Sequence, residues 1–182
     1  IVNNAATAIS FAQCLRTGMP IVEKIVTVSG DGVKEPCNVV VPVGVQACDL
    51  INACGGYTAD DILLIAGGPM MGKALVNAEV PTAKGSSGIL IMNNKEAKRG
   101  EAQTCIRCAK CVSACPMGLE PYLLSALAEN TEFERMESER IMDCIECGSC
   151  QFTCPANRSL LDYCRLGKRK VAAMIRARQA KK

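Results

Sequence analysis

The chain has 182 residues, 49% of them apolar and only 3% aromatic, with a net charge of +3, 13 cysteines and no histidine. That length fits one or two small domains with an aliphatic core; a Ser-His-Asp triad is excluded, and so few aromatics leave no stacking platform for nucleic acid. No apolar run approaches the roughly 20 residues that span a bilayer, and the opening residues carry no basic-then-apolar signal pattern, so the chain reads as having no transmembrane segment of its own.

Residues 1–19 begin without Met and read like the interior of a longer protein. Ala5, Ala8, Ile9, Ala12 and Leu15 recur at helical spacing, and Gly18 and Pro20 end the helix. Residues 20–94 follow as a second segment. "IVEKIVTVSG" alternates and is β-branched, so it predicts a strand, with "DGVKEP" as a turn and "CNVVVPVG" as the partner strand. "VQACDLINACGG" has helical period, with Val45, Cys48, Leu50, Ile51 and Cys54 inward and a glycine C-cap at Gly55 or Gly56. "DILLIAGG" predicts a buried strand, "GPMMG" a loop and "GILIMN" a last strand. The order β-β-α-β-β is a small α+β unit of the β-grasp type.

Residues 95–182 form the third segment. A polar linker, "NNKEAKRGEAQ", overlaps its start, and two cysteine motifs follow. The spacer between them, "YLLSALAENTEFERMESERIM", is rich in helix formers. After the second motif "RSLLDYCRLGKRKVAAMIRARQ" again predicts helix, with Ser159 as its N-cap. Eight Lys or Arg and no acid lie between Arg165 and Lys182. Such a tail suits an anionic lipid surface or an acidic partner, and it equally suits a solvated helix.

The first motif is Cys105-x2-Cys108-x2-Cys111-x3-Cys115-Pro116, and the second is Cys144-x2-Cys147-x2-Cys150-x3-Cys154-Pro155. Both match the bacterial ferredoxin run, in which the fourth cysteine ligates the other cluster. Three thiolates spaced by three residues wrap three irons of one cube, and the remote cysteine of the partner motif supplies the fourth. The proline keeps the chain from running straight into a helix at the ligand. The expected ligands are therefore Cys105, Cys108, Cys111 and Cys154 for one [4Fe-4S] cluster, and Cys144, Cys147, Cys150 and Cys115 for the other. Zinc sites favour CxxC pairs separated by a longer loop, and a disulfide framework needs an oxidising compartment that nothing here indicates.

Ile106, Val112, Ile145 and Phe152 are expected to shield the cubes. Arg107 and Lys110 lie in the first loop and Glu146 in the second, so by charge alone the first cluster is the easier to reduce. The remaining cysteines, Cys14, Cys37, Cys48, Cys54 and Cys164, read as small buried hydrophobes, Cys164 being the best placed to be an exception. "GGPMMG" lacks the P-loop Lys and Ser/Thr and the GxGxxG spacing, so it reads first as a structural turn and second as a contact to a cofactor or partner. "KGSSG" reads as a flexible loop.

"GMPIVEKIVTVSGDGV", "LLIAGGPMMG", "CIRCAKCVSACPMGLEPYLL" and "MDCIECGSCQFTCPANRSLLDYCRLGK" together resemble the C subunit of the Rnf electron transport complexes, over nearly all of the chain. The resemblance implies a soluble-ligand-binding β-grasp (SLBB) domain at residues 20–94. It implies a largely α-helical two-cluster ferredoxin domain after it, and it makes residues 1–19 the last helix of an upstream domain. Such a complex is a membrane-bound, ion-translocating ferredoxin:NAD oxidoreductase, in which the C subunit is peripheral and faces the cytoplasm. FMN and NAD(H) then belong to the upstream domain that this chain lacks, leaving an electron-relay module with two [4Fe-4S] clusters. Its partners are the other subunits and, in a weaker reading, ferredoxin. An alternative is a related flavin and iron–sulfur reductase serving a soluble partner, such as a cobalamin reductase; a third is a binding module whose clusters are only structural.

Overall fold

The computed structural model describes residues 2–180. They fold as two compact units that divide between Lys98 and Arg99. The first opens with helix α1 (Ala5–Thr17). Asn4 Oδ1 accepts the Ala6 N–H at 2.9 Å, satisfying a donor that the first turn leaves free. Gly18 ends the helix in the left-handed region and returns its N–H to the Cys14 carbonyl. The apolar face foreseen on α1 is present, but none of its residues is buried.

A mixed sheet follows, built from β1 (Glu23–Ser29), β2 (Cys37–Pro42), β3 (Ile62–Ala66), β4 (Lys73–Ala74) and β5 (Gly88–Asn93), with α2 (Ala47–Ala53) between β2 and β3. The spatial order is β2-β1-β5-β3-β4. β1 pairs with β5 in parallel, and the other neighbours are antiparallel. This is the expected β-grasp arrangement with one addition: β4 is only two residues long, and so short a strand leaves no alternation to read. Strand alternation turns Val26 and Val28 inward. Ala47, Leu50 and Ile51 of α2 pack on them and on Leu64, Ile89 and Ile91. Helix α3 (Asn94–Ala97) ends the unit, with the Asn94 amide donating to both Asp61 carboxylate oxygens.

The exit of β1 is pinned to the end of β5. Asp31 accepts from the Asn93 backbone N–H at 2.9 Å and from its amide at 2.8 Å, and the first of these bonds holds its carboxyl below the usual carboxylate range. Gly32 N–H donates to the Ile91 carbonyl at 3.0 Å. A β-carbon on Gly30, whose φ is +119°, would sit 1.8 Å from that same oxygen.

The second unit is helical: α4 (Lys110–Ser113), α5 (Pro121–Glu129), α6 (Phe133–Ser138), a 3-10 turn (Ile141–Asp143), α7 (Ser149–Phe152) and α8 (Leu160–Ala180). The helix-rich spacer is broken into α5 and α6 at Asn130 and Thr131, the latter with φ of +59°. Leu160, Leu161, Cys164, Gly167 and Val171 form the buried stripe of α8, at the spacing of one helical face. Cys164 and Val171 of that stripe share one core with Leu124, Leu127, Met136 and Ile141. Gly167 leaves the room that Met136 fills, since a β-carbon there would lie 2.1 Å from Met136 Cε. Ser159 stands at the cap position before α8, and the Gln151 side chain accepts the Leu161 N–H at 3.1 Å. Among the described residues no helix is long and apolar enough to cross a membrane.

Gly30→Ala combines a backbone clash with a disfavoured φ, and we expect it to cost the first unit about 3 kcal/mol. Urea unfolding followed by far-UV circular dichroism measures this; a loss below about 1 kcal/mol would mean that the β1–β5 junction can shift.

Candidate metal centre

The two cysteine motifs have the same backbone. In the first, Arg107 and Ala109 take φ of +54° and +57°; in the second, Glu146 and Gly148 take +56° and +81°. Each left-handed residue turns the chain back on itself, so the first two cysteines face a common side. Ala109 and Gly148 then act as the N-caps of α4 and α7, the single turns that carry Cys111 and Cys150. Cys115 and Cys154 lie just beyond those turns. Left-handed backbone at residues other than glycine is uncommon and gathers at functional sites.

The structure gathers the thiols in two groups. Cys105, Cys108, Cys111 and Cys154 line one open cavity of ≈ 620 Å³, together with Tyr122 and Arg158. Cys115, Cys144, Cys147 and Cys150 line a second, much tighter space of ≈ 20 Å³, where Cys164 joins them. In each group the fourth cysteine comes from the other motif.

The two surroundings differ. Leu119, Pro121, Leu124 and Leu161 wall the second space, whereas the first is lined by Ile106, Ala126 and Leu160 and also by Arg107, Glu129 and Arg158, the last two pairing at 2.6 Å. Leu119 N–H points at Cys115 Sγ from 3.4 Å, and Cys147 Sγ lies 3.4 Å from Ser149 Oγ. A hydrogen bond from Cys164 holds the Cys144 thiol down at about 6, against burial. The same bond and burial push the Cys164 thiol up. Burial pushes Cys150 up to about 11 and also raises Cys111.

Several expectations need correction. The residues named as shields divide: Ile106 and Ile145 line the first and the second space, although both stay more than half exposed, whereas Val112 and Phe152 line neither, and Phe152 is 79% exposed. Leu124 of α5 and Leu161 of α8 complete the walls of the second space, which a loop sequence does not reveal. The charge contrast between the loops is also incomplete, because α8 brings Arg165 to 3.1 Å and Lys168 to 3.6 Å from the Glu146 carboxylate. Lys168 also donates to the Cys144 carbonyl at 2.6 Å. The acid of the second loop is thus neutralised, and the helix face that reads as a free basic tail is partly tied down. Of the other cysteines, Cys54 and Cys164 are buried, but Cys14 and Cys37 are exposed and Cys48 half-buried, so the buried-hydrophobe reading fails for three of the five.

Ala109 and Gly148 occupy equivalent left-handed positions, so Ala109→Gly should stabilise the second unit and Gly148→Ala should destabilise it, each by about 1 kcal/mol. Anaerobic denaturant titration reads both; changes of the same sign would break the equivalence of the loops.

An SLBB domain model matches residues 25–74, and a 4Fe-4S dicluster domain model matches residues 104–158. The latter supports iron–sulfur clusters as the metal. The chain is 38% identical over 166 residues to the C subunit of the proton-translocating ferredoxin:NAD(+) oxidoreductase complex of Clostridium ljungdahlii, covering 91% of this chain and 36% of that protein. It is 38% identical over 176 residues to the C subunit of the Na(+)-translocating ferredoxin:NAD(+) oxidoreductase complex of Acetobacterium woodii, covering 97% and 40%. With the C subunit of the ion-translocating oxidoreductase complex of Rhodobacter capsulatus the identity is 41% over 126 residues, 69% of this chain and 24% of that one. The chain thus spans well under half the length of these relatives. Over the SLBB and dicluster domains that it does span, it belongs to the family of C subunits of the Rnf-type ion-translocating ferredoxin:NAD oxidoreductase complexes.

Proposed function

We propose that this chain is the electron-relay portion of such a C subunit, holding two [4Fe-4S] clusters, one on Cys105, Cys108, Cys111 and Cys154 and the other on Cys144, Cys147, Cys150 and Cys115. The observation that carries this reading is the grouping of the thiols: three from one motif and the fourth from the other, around each of two spaces. Among the described residues no three Cys, Asp or Glu groups converge closely enough to hold a single ion, a spread that suits ligands to separate irons better than the tetrahedron of one zinc. A bound cube supplies one-electron transfer at a potential set by charge, hydrogen bonds and solvent.

The chain's own residues set those conditions. Leu119 N–H meets the sulfur of Cys115, where a donor favours the thiolate. Leu124 and Leu161 keep water from the second group. Arg165 and Lys168 outweigh Glu146 beside it, and positive charge eases reduction. The first group, in the wider cavity with Arg107, Glu129 and Arg158 among its lining residues, lies open to solvent or to a partner.

The relatives' names support the wider reading. The module works with other subunits of a membrane redox complex, peripheral on the cytoplasmic face of the bacterial membrane, and ferredoxin is a candidate partner. FMN and NAD(H) are assigned to the part of the family's protein that this chain does not span.

Anaerobically prepared protein should contain about eight irons and eight sulfides per chain. Cys105→Ala and Cys154→Ala should erase the same reduced EPR signal, and Cys144→Ala and Cys115→Ala the other. If Cys154→Ala instead matches Cys144→Ala, the crossed ligation is wrong; zinc in place of iron would remove the relay itself. In a redox titration resolving the two clusters, Arg165→Ala should lower the midpoint of the cluster on Cys144 and leave the other in place, and Glu146→Gln should raise it.

A further inference from the structure

Two thiols that the relay does not use lie against each other in the first unit. Cys37, the first residue of β2, is exposed, whereas Cys54, which caps α2, is buried. Their Sγ atoms are 3.1 Å apart. Both backbones are held in place. Glu35 N–H donates to the Cys54 carbonyl at 3.0 Å, and Lys34 N–H to the Gly56 carbonyl at 3.1 Å. Val33 and Tyr57 form a bridge next to these bonds, and Cys37 sits in register with Val28 of β1. An S–S bond of about 2.05 Å needs the sulfurs to close by only about 1 Å. Burial, and after it the contact with Cys37, pushes the Cys54 thiol up to about 11. Cys54 is therefore protonated at neutral pH, and Cys37 is the sulfur that a reagent meets.

We infer that Cys37 and Cys54 form a peroxide-reactive dithiol site in the SLBB domain, whose product is an internal disulfide. The thiolate of Cys37 attacks one oxygen of hydrogen peroxide; the O–O bond breaks, Cys37 becomes a sulfenic acid, and the departing hydroxide takes a proton and leaves as water. The Cys54 sulfur then attacks the Cys37 sulfur. The S–O bond breaks, and the second hydroxide leaves as water with the Cys54 proton. Two thiols and one peroxide give one disulfide and two waters, the sulfurs losing the two electrons that the O–O bond gains. A dithiol reductant reverses the change by two exchanges. The bond closes a loop whose ends are 17 residues apart and ties the edge strand β2 to the end of α2. None of this involves the cluster cysteines, so it stands or falls separately from the relay.

The test uses the whole chain with its clusters loaded. It is exposed anaerobically to a stoichiometric amount of hydrogen peroxide, quenched with N-ethylmaleimide and cleaved before aspartate without reduction. Cleavage at Asp49 separates Cys54 from Cys37. The expected product is the pair of peptides joined through Cys37 and Cys54, released by dithiothreitol, kept in Cys48→Ser and lost in Cys37→Ser and Cys54→Ser. In Cys54→Ser, Cys37 should stop as a sulfenic acid that dimedone captures. The inference is overturned if the unsubstituted chain links through Cys48, if Cys37 is over-oxidised without a link, or if both thiols are alkylated after the peroxide is consumed. That readout on the unsubstituted chain decides the matter even if a variant fails to fold.

Discussion

The second unit is organised by an exchange. The loop that starts at Cys105 completes its group with Cys154, and the loop that starts at Cys144 completes its own with Cys115. Each loop therefore depends on the other being folded. The helices beside the loops, α4 and α7, are four residues long, far below the length at which a helix stands alone in water. Elements this short gain from a staple that ties them together. The proposed crossed ligation would be such a staple, closing the chain over tens of residues at once.

α8 is the second support, and it acts on both packing and charge. Its buried stripe carries the core that α5 and α6 rest on, while its polar flank brings Arg165 and Lys168 to the loop at Glu146. Arg178 near its end pairs with Glu137. One helix thus walls the tighter cysteine group, neutralises its acid and anchors to the spacer. Exposed pairs of this sort contribute little individually; what they fix is the angle at which the helix lies.

Much of this was legible in the residues. The spacing of the cysteines pointed to the cofactor chemistry, and Gly18, the Val-rich strands and the Leu-Ala spacer marked the elements. What escaped reading has a common cause: it depends on residues brought from far along the chain. Leu119 and Leu161 wall a space that Phe152 was expected to cover, and Lys168 reaches a loop twenty-four residues earlier. The left-handed turn at Ala109 carries no sequence signal by itself, since alanine is no turn former; only its equivalence with Gly148 in the repeat hints at it. The contact between Cys37 and Cys54 was invisible because strand and helix period say which face a residue occupies, and not which neighbour it meets.

The parallel pairing of β1 with β5 has a consequence for the making of the protein. Thr27 finds its partner at Gly88, about 60 residues later. A ribosome adding roughly 5–20 residues per second takes on the order of 3–12 s to supply it. During that interval β1 and β2 pair only with each other, a ribbon that is marginal alone in water, and Val26 and Val28 lack the cover of Ile89 and Ile91. The core of the first unit is thus completed only when its last strand arrives.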